Sequence, residues 1–263
     1  MERQDGTASL KSIPVFLAGV FFLSIPFWTL GAVVDKPLLP GLPISALMVI
    51  VPTLVAAFVT ARRRGSAAVW ALFRRAIDIQ QLSPWAWPVA LCTMPTVMLA
   101  SGLWLTVSGQ DIPQFEFNPG QTVILLGVFF LAATAEEIGW TGFATDPLLR
   151  STGIFTTGLL IGAAAALWHF IPLTQADRSI SWIAWWTLGT VMRRILMVWV
   201  YARGGGSVFG ASLFHAMSNV SWMLFPIMGS HYDPRSTALA STLIVVLVAA
   251  IETMSRARSG ADS

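Results

Sequence analysis

Long apolar stretches separated by short polar breaks dominate the 263-residue chain. Each stretch is about 17–25 residues long, which is the length of helix that crosses the hydrocarbon core of a bilayer. The breaks carry turn-forming residues, as in "DKPLLPG", "TDPLLRSTG" and "RGGGS". This pattern predicts eight membrane-spanning helices, at residues 12–34, 41–61, 86–107, 120–140, 154–173, 182–202, 207–227 and 237–254.

Composition also predicts a membrane protein. The chain is 55% hydrophobic and 11% charged, whereas a soluble domain carries about 25% charged residues. We therefore expect an all-α, polytopic bundle, a single domain over residues 1–263, which lies multi-pass in the cell membrane with the lipid bilayer around it. The basic residues sit at segment ends, so the sequence pI of 9.6 does not indicate a nucleic-acid partner. The first stretch is too long for a signal-peptide core and is expected to stay as an anchor.

The distribution of Lys and Arg predicts the orientation of the bundle. If the N-terminus is inside, the inner segments carry eleven basic residues and the outer segments carry three, which are Lys36, Arg178 and Arg235. Cytoplasmic loops are enriched in Lys and Arg, so both termini are expected in the cytoplasm. The basic linker 62–85 contains "AAVWALFRRAIDI", which predicts a helix at the membrane surface.

A small set of ionisable and polar residues falls inside the predicted spans. Its members are Glu136, Glu137, His169, Arg193, Arg194, His215 and Asn219. On insertion scales a charge at the bilayer centre costs about 2.5–3.5 kcal/mol, and such residues usually face the bundle interior and serve a function. These positions are therefore the candidate site.

Helix geometry divides the candidate residues between roles. His215 and Asn219 are four residues apart and share a helix face, whereas the adjacent Glu136 and Glu137 point about 100° apart. One glutamate is thus expected to face a cavity and the other a supporting partner. Peptide hydrolysis needs a base for water and donors for the oxyanion. A glutamate can be that base, a histidine can hold the water or bind a metal, and an asparagine with a second histidine can donate to the oxyanion.

Three motifs, "EEIGWTG", "ALWHF" and "SVFGASLFHAMSN", occur in this order along the chain. They resemble the CPBP intramembrane proteases, also called the type II CAAX prenyl protease or Abi family, over roughly residues 130–222. The family pattern is EExxxR, FxxxH and then HxxxN or HxxxD on separate membrane helices. The resemblance implies an endopeptidase that cleaves a peptide or protein substrate near the cytoplasmic membrane face, with catalytic residues Glu136, His169, His215 and Asn219.

The resemblance also implies a role for each residue. Glu136 would activate water, His169 would hold that water, and Glu137 would support them. His215 and Asn219 would complete the site and stabilise the oxyanion.

The chain departs from the family pattern at two positions. Thr141 stands in place of the arginine of EExxxR, and Ala165 stands in place of the aromatic residue of FxxxH. An ionised Glu137 then needs another cation, and we hypothesise that Arg193 or Arg194 reaches it across a helix contact. The alternative is a protonated Glu137 bonded to Thr141 or to backbone, with both arginines extended to the lipid headgroups.

The cofactor and the function each have alternatives. A divalent metal such as zinc, held by Glu136, His169 and His215, is an alternative to a mechanism that uses glutamate alone. A non-catalytic immunity or partner-binding protein of the same fold is one alternative function. A proton-coupled transporter is another, since intramembrane Glu, His and Arg also form proton relays, but the sequence shows no internal repeat. We expect the site to open toward the cytoplasmic leaflet.

Overall fold

The computed structural model describes residues 8–115 and 117–261, which form a bundle of helices. The α-helices are α1 (Ile13–Val33), α2 (Val51–Arg64), α3 (Ser66–Ile77), α4 (Ala86–Val107), α5 (Pro119–Glu137), α6 (Asp146–Thr152), α7 (Ile154–Trp168), α8 (Phe170–Gln175), α9 (Ile180–Arg203), α10 (Val208–Met223) and α11 (Pro234–Ala261). Tighter 3₁₀ segments cover Leu10–Ser12, Ile44–Ile50 and Ile79–Gln81, and a wider π-helical segment covers Ile138–Thr145. These described ranges contain no β-strand, so the predicted all-α membrane bundle is confirmed.

Each predicted span contains a helix, although the spans differ in length. Five helical stretches of the described chain are long and apolar enough to cross a membrane, and they are Leu10–Val33, Ile44–Arg64, Ala86–Val107, Pro119–Thr152 and Pro234–Ser255. The helices α7 and α10 are shorter, with 15 and 16 residues. Eight crossings and cytoplasmic termini therefore stay predictions. The predicted surface helix is present as α3.

Serine caps determine where two functional helices begin. The Oγ of Ser179 accepts a hydrogen bond from the backbone N–H of Trp182 at 3.2 Å, at the start of α9. Ser207 does the same for Gly210 at 3.1 Å, at the start of α10. Each cap satisfies an N–H group that the first helical turn leaves without a partner. The helices that carry the arginine pair and the HxxxN motif thus start at defined residues.

The predicted span 154–173 is broken at His169. Helix α7 ends at Trp168, and a short helix, α8, begins at Phe170. Pro172 lies in α8 and has no N–H to donate to the residue four positions earlier. The missing N–H weakens the helix near His169. The break places His169 at the junction between α7 and α8.

The EExxx region continues beyond the predicted end of its span at residue 140. Regular helix ends at Glu137, and the chain then widens into the π-helical segment. The hydroxyl of Thr145 donates to the carbonyl of Trp140, five residues earlier, at 3.0 Å. Gly139 faces α2 so closely that a Cβ atom there would lie 2.6 Å from the carbonyl carbon of Pro52. Such wide turns are frequent at functional sites, and here the glycine sets the depth at which the two glutamates sit.

Two glycines bring α9 against α7. A Cβ atom on Gly158 would lie 2.6 Å from the Cα of Ile195, and one on Gly162 would lie 2.9 Å from the Cα of Val191. Their spacing of four residues puts both on one helix face, and small residues at this spacing allow membrane helices to approach at the backbone. The contact fixes the position of Arg194, whose Cβ would be 3.1 Å from a Cβ on Gly162.

Candidate intramembrane active site

One cavity of about 590 Å³ contains side chains from all three motifs. Its lining includes Glu136, His169, His215, Asn219, Arg193 and Arg194. Apolar side chains form much of the remaining wall, among them Met48, Leu125, Phe129, Trp186 and Trp222. The bundle therefore brings together four candidate catalytic residues that are spread over 84 positions of the sequence, counted from 136 to 219.

Glu137 is fully buried and held by three side chains. Its Oε2 accepts hydrogen bonds from Arg194 Nη1 at 2.7 Å and from the Thr141 hydroxyl at 2.5 Å. Its Oε1 lies 2.8 Å from Nδ1 of His215. A carboxylate with an ion pair and two further hydrogen bonds is saturated and rigid. Glu137 therefore orients its neighbours.

The hypothesis of a replacement arginine is confirmed for Arg194. Its guanidinium is 5% exposed and forms the ion pair with Glu137. Thr141, at the position of the family's arginine, adds a hydrogen bond but no charge. The structure thus contains the Arg194–Glu137 ion pair of the first hypothesis and also the Thr141–Glu137 hydrogen bond of the alternative. Arg193 does not share this role, because its Nη2 donates to the hydroxyl of Thr190 at 2.8 Å.

Glu136 differs from its neighbour in having an unpaired carboxylate oxygen. The side chain is 4% exposed, and Oε2 makes no hydrogen bond to the described residues. It lines the cavity, whereas Glu137 points to Arg194 and His215. The expectation that the two adjacent glutamates face different surroundings is confirmed. An unpaired carboxylate oxygen buried beside a cavity marks a candidate functional group.

One ring nitrogen of His169, Nε2, has no hydrogen-bond partner in the described part of the chain. Its Nδ1 lies 2.8 Å from the carbonyl oxygen of Ala165, which only accepts hydrogen bonds, so Nδ1 carries the proton. In the neutral ring Nε2 is then an acceptor. The ring packs between the indoles of Trp168 and Trp186, at centroid distances of 4.8 and 5.3 Å. These contacts hold the ring at the cavity wall.

His215 and Asn219 complete the wall from α10. Because Nδ1 of His215 is bonded to the Glu137 carboxylate, it is protonated, and Nε2 has no partner among residues 8–115 and 117–261. Asn219 is half-buried, and its amide also lines the cavity. An imidazole held by a carboxylate is oriented and is stabilised when it gains a second proton. With a second proton on its ring, His215 can donate through Nε2–H, and the Asn219 amide is the other donor on this wall.

The proposed metal ligands do not form a ligand cluster. Within the described parts of the chain, no three His, Cys, Asp or Glu side chains are arranged to hold a metal ion. Glu136, His169 and His215 share the cavity but do not meet as such a group. The mechanism below is therefore derived from the side chains alone.

The cavity extends toward one end of the bundle. Its walls there include residues 38–43, Arg178 and Tyr232, from loops that the charge count places outside. The wall formed by α5 includes Ile124 and Val128, from its first half. The predicted cytoplasmic opening of the site and the predicted cytoplasmic location of the termini therefore cannot both be correct. Only the packing of the helices shows that the cavity lies at the end of the bundle opposite to the start of α1.

A second polar cluster was missed in the sequence. Arg75 of α3 donates to the carbonyl of Gly142 at 2.7 Å and pairs with Asp146 at 3.0 Å. The hydroxyl of Tyr201 donates to the same aspartate at 2.5 Å. This cluster fastens the π-helical segment to α3 and α9. Its members were assigned to loops and segment ends, where charges are common, so the sequence contained no signal for it.

The glycine contact was also missed, although its signal is present. "GLLIG" at residues 158–162 is a small-xxx-small motif inside an apolar segment. This motif would have predicted a close helix neighbour for α7, though not which helix it is.

The fold and the cavity define a helical membrane protein with two carboxylates, two imidazoles and an amide gathered inside the bundle. Residues 118–221 match the family model described as type II CAAX prenyl endopeptidase Rce1-like. The chain is also 27% identical over 227 residues to CAAX prenyl protease 2 of Methanococcus maripaludis, a match that covers 81% of this chain and 79% of that protein. The resemblance inferred from the three motifs is confirmed, and both similarities support an endopeptidase of the CAAX prenyl protease type.

Proposed function

We propose that this protein is an intramembrane endopeptidase in which Glu136 activates the water that attacks a peptide carbonyl. The observation that carries the proposal is the contrast between the two glutamates. Glu137 is saturated by Arg194, Thr141 and His215, whereas Glu136 has an unpaired oxygen beside the cavity. A purely structural pair would leave neither carboxylate unpaired, because an unsatisfied buried acceptor costs about 1–3 kcal/mol.

Water activation uses Glu136 and His169. The carboxylate takes a proton from the water as its oxygen bonds to the peptide carbonyl carbon. The free Nε2 of His169 accepts the other hydrogen of the same water, since Nδ1 is committed to the carbonyl of Ala165. The two acceptors thereby orient the lone pair of the water toward the substrate.

Oxyanion stabilisation uses the α10 pair. In the imidazolium form, Nε2–H of His215 donates to the developing oxyanion, and the Asn219 amide supplies a second donor. The Glu137 carboxylate stabilises this imidazolium through Nδ1, and Arg194 keeps that carboxylate ionised. This arrangement gives a function to the buried Arg194–Glu137–His215 chain.

The tetrahedral intermediate then collapses. The proton held by Glu136 passes to the nitrogen of the leaving amine, the C–N bond breaks, and a carboxylic acid and an amine are released. Glu136 returns to its starting carboxylate form. Each step uses one proton from one water molecule, so no further reactant is needed.

The substrate class follows from the relatives and from the cavity wall. One relative is named a CAAX prenyl protease, and CAAX denotes a C-terminal motif whose cysteine carries a prenyl group. The cavity wall is largely apolar, and Leu38, Leu47, Ile124 and Val128 on it are exposed at the outer surface of the bundle. An apolar wall that is continuous with the lipid-facing surface suits a lipidated peptide.

A direct test uses the purified protein in lipid nanodiscs and a farnesylated peptide that ends in a CAAX motif. The wild type should release a C-terminal fragment identifiable by mass, and Glu136→Gln should not. Cleavage by Glu136→Gln at the wild-type rate would refute the proposed mechanism. No cleavage by either protein, with both correctly folded, would instead favour the partner-binding or transporter alternatives.

A further inference from the structure

Arg193 is a cavity-lining cation to which the proposed mechanism assigns no role. It is half-buried and lines the cavity. The ion pairs formed among the described residues involve Arg75, Arg194, Arg203 and His215, and Arg193 is in none of them. Glu136 lines the same cavity, yet the two groups are not within ion-pair distance. A cation without an acid is costly inside a membrane protein unless a ligand or solvent meets it.

The surroundings of Arg193 hold its guanidinium in one place. Nη2 donates to the Thr190 hydroxyl at 2.8 Å, and the guanidinium carbon lies 6.0 Å from the centre of the Trp186 ring. Gly189 provides the space, because a Cβ atom there would be 3.0 Å from Nη1. The guanidinium makes no other side-chain hydrogen bond to the described part of the chain. A preorganised guanidinium of this kind matches a carboxylate by two parallel hydrogen bonds.

We infer that Arg193 is a specificity-determining residue that binds a carboxylate of the peptide substrate inside the cavity. This inference rests on the proposed endopeptidase function. The carboxylate would come either from the C-terminus of the peptide or from an acidic side chain near it, and the chemistry of recognition is the same. Binding there would position the peptide relative to Glu136, so the preference for a charged substrate would originate in this arginine.

The experiment compares three farnesylated peptides that differ only at the C-terminal residue or its end group. The first ends in a free carboxylate, the second in an amide, and the third in an amide with aspartate as its last residue. The wild type should cleave the first with a kcat/KM about 10–100-fold higher than the second, the ratio expected from one charge-assisted interaction. Arg193→Gln should bring this ratio close to 1, mainly through KM, and Arg193→Lys should keep part of it.

Arg178 provides the matched control. It also lines the cavity, but its guanidinium stacks on the Trp182 ring at 4.7 Å. Arg178→Gln should keep the wild-type ratio. The inference is overturned if Arg193→Gln keeps the ratio, or if Arg178→Gln is the variant that loses it. The first and third peptides could be cleaved equally, and Arg193→Gln could lose the preference for each of them over the second. This result would show that the same arginine binds a C-terminal carboxylate and an acidic side chain.

A binding measurement separates this inference from the proposed function. Fluorescence anisotropy with the first two peptides reports affinity without cleavage and is made in a Glu136→Gln background. A lower Kd for the carboxylate peptide that disappears in Glu136→Gln/Arg193→Gln supports the inference even if the wild type cleaves nothing. Equal Kd values for the two peptides would overturn it, whatever the cleavage result.

Discussion

Arg194 on α9 donates a hydrogen bond to Glu137 on α5 at 2.7 Å, and both side chains are buried. This ion pair compensates for Thr141, which stands where the family pattern has an arginine. The positive charge therefore reaches the second glutamate from another helix. The pair also separates the roles of adjacent glutamates, since both oxygens of Glu137 are hydrogen-bonded and Oε2 of Glu136 has no partner in the described part of the chain.

Replacement of Arg194 by Leu should destabilise the protein strongly. It leaves Glu137 buried without a cation, and breaking a buried pair in this way costs about 3–5 kcal/mol. The measurement is the midpoint of thermal unfolding in detergent. Arg193→Leu is the matched control and should change the midpoint little. The double variant Thr141→Arg/Arg194→Leu should recover part of the loss, because residue 141 already contacts the Glu137 carboxylate. An unchanged midpoint for Arg194→Leu would show that the pair does not support the fold.

Exchanging each glutamate for glutamine should separate catalysis from structure. Glu136→Gln should lower kcat by at least about 10²–10⁴-fold, the contribution of a general base, with no loss of thermal stability. Glu137→Gln should lower stability as well as activity, because Arg194 then lacks its anion. Activity and unfolding are measured on the same preparations. If Glu137→Gln alone abolishes activity and Glu136→Gln is fully active, the assignment of the two residues is reversed.

Loss of a cavity-lining donor or acceptor should reduce turnover without unfolding the bundle. Asn219→Leu and His169→Ala should each lower kcat by about 10²–10³-fold, the cost of removing one oxyanion donor in other enzymes. Steady-state kinetics with the farnesylated peptide give the values. His231→Ala is the control, since the side chain of that histidine bonds only to the neighbouring Ser230 hydroxyl in the described structure. A decrease as large in His231→Ala would mean that the assay reports general damage.

Enlarging Gly158 should disturb the site from a distance. A methyl group there meets the backbone of Ile195, so Gly158→Ala must push α9 away from α7. Overpacking of this kind costs about 1–3 kcal/mol, and the shift should weaken the Arg194–Glu137 pair. Gly127→Ala in α5 is the control, because a Cβ there has no neighbour within 4 Å. We expect a lower unfolding midpoint and lower kcat for the first variant only. Equal behaviour of both variants would contradict the close contact.

The orientation of the bundle decides which side of the membrane the cavity faces. The charge distribution predicts that the cavity end lies outside, so a cysteine at Ser230 should react with a membrane-impermeant thiol reagent in intact cells. A cysteine at Ser66, at the opposite end, should react only after permeabilisation. Both variants need the Cys92→Ala background, since Cys92 is the single native cysteine and is exposed. The reverse labelling would put the cavity and the cleaved bond at the cytoplasmic face.

The apolar pattern determined the helical membrane class, because a bilayer admits only segments that satisfy their own backbone hydrogen bonds. Because the chain carries few charges, the polar residues inside the predicted spans could be identified from the sequence as a candidate site. Adjacency of Glu136 and Glu137 was enough to predict divergent surroundings, since helical rotation per residue is a local property. The break near Pro172 also has a local cause, since proline lacks the N–H that a helix needs.

Tertiary packing decided everything that depends on which helices meet. The sequence left Arg193 and Arg194 equivalent, and the approach of α9 along Gly158 and Gly162 selected Arg194 as the partner of Glu137. It also committed Nδ1 of His215 to a carboxylate and directed the cavity away from the end of the bundle where α1 begins. Spacing along a chain constrains neighbours on one helix, whereas contacts between helices depend on the fit of whole surfaces. That fit is a property of the folded bundle and not of any single segment.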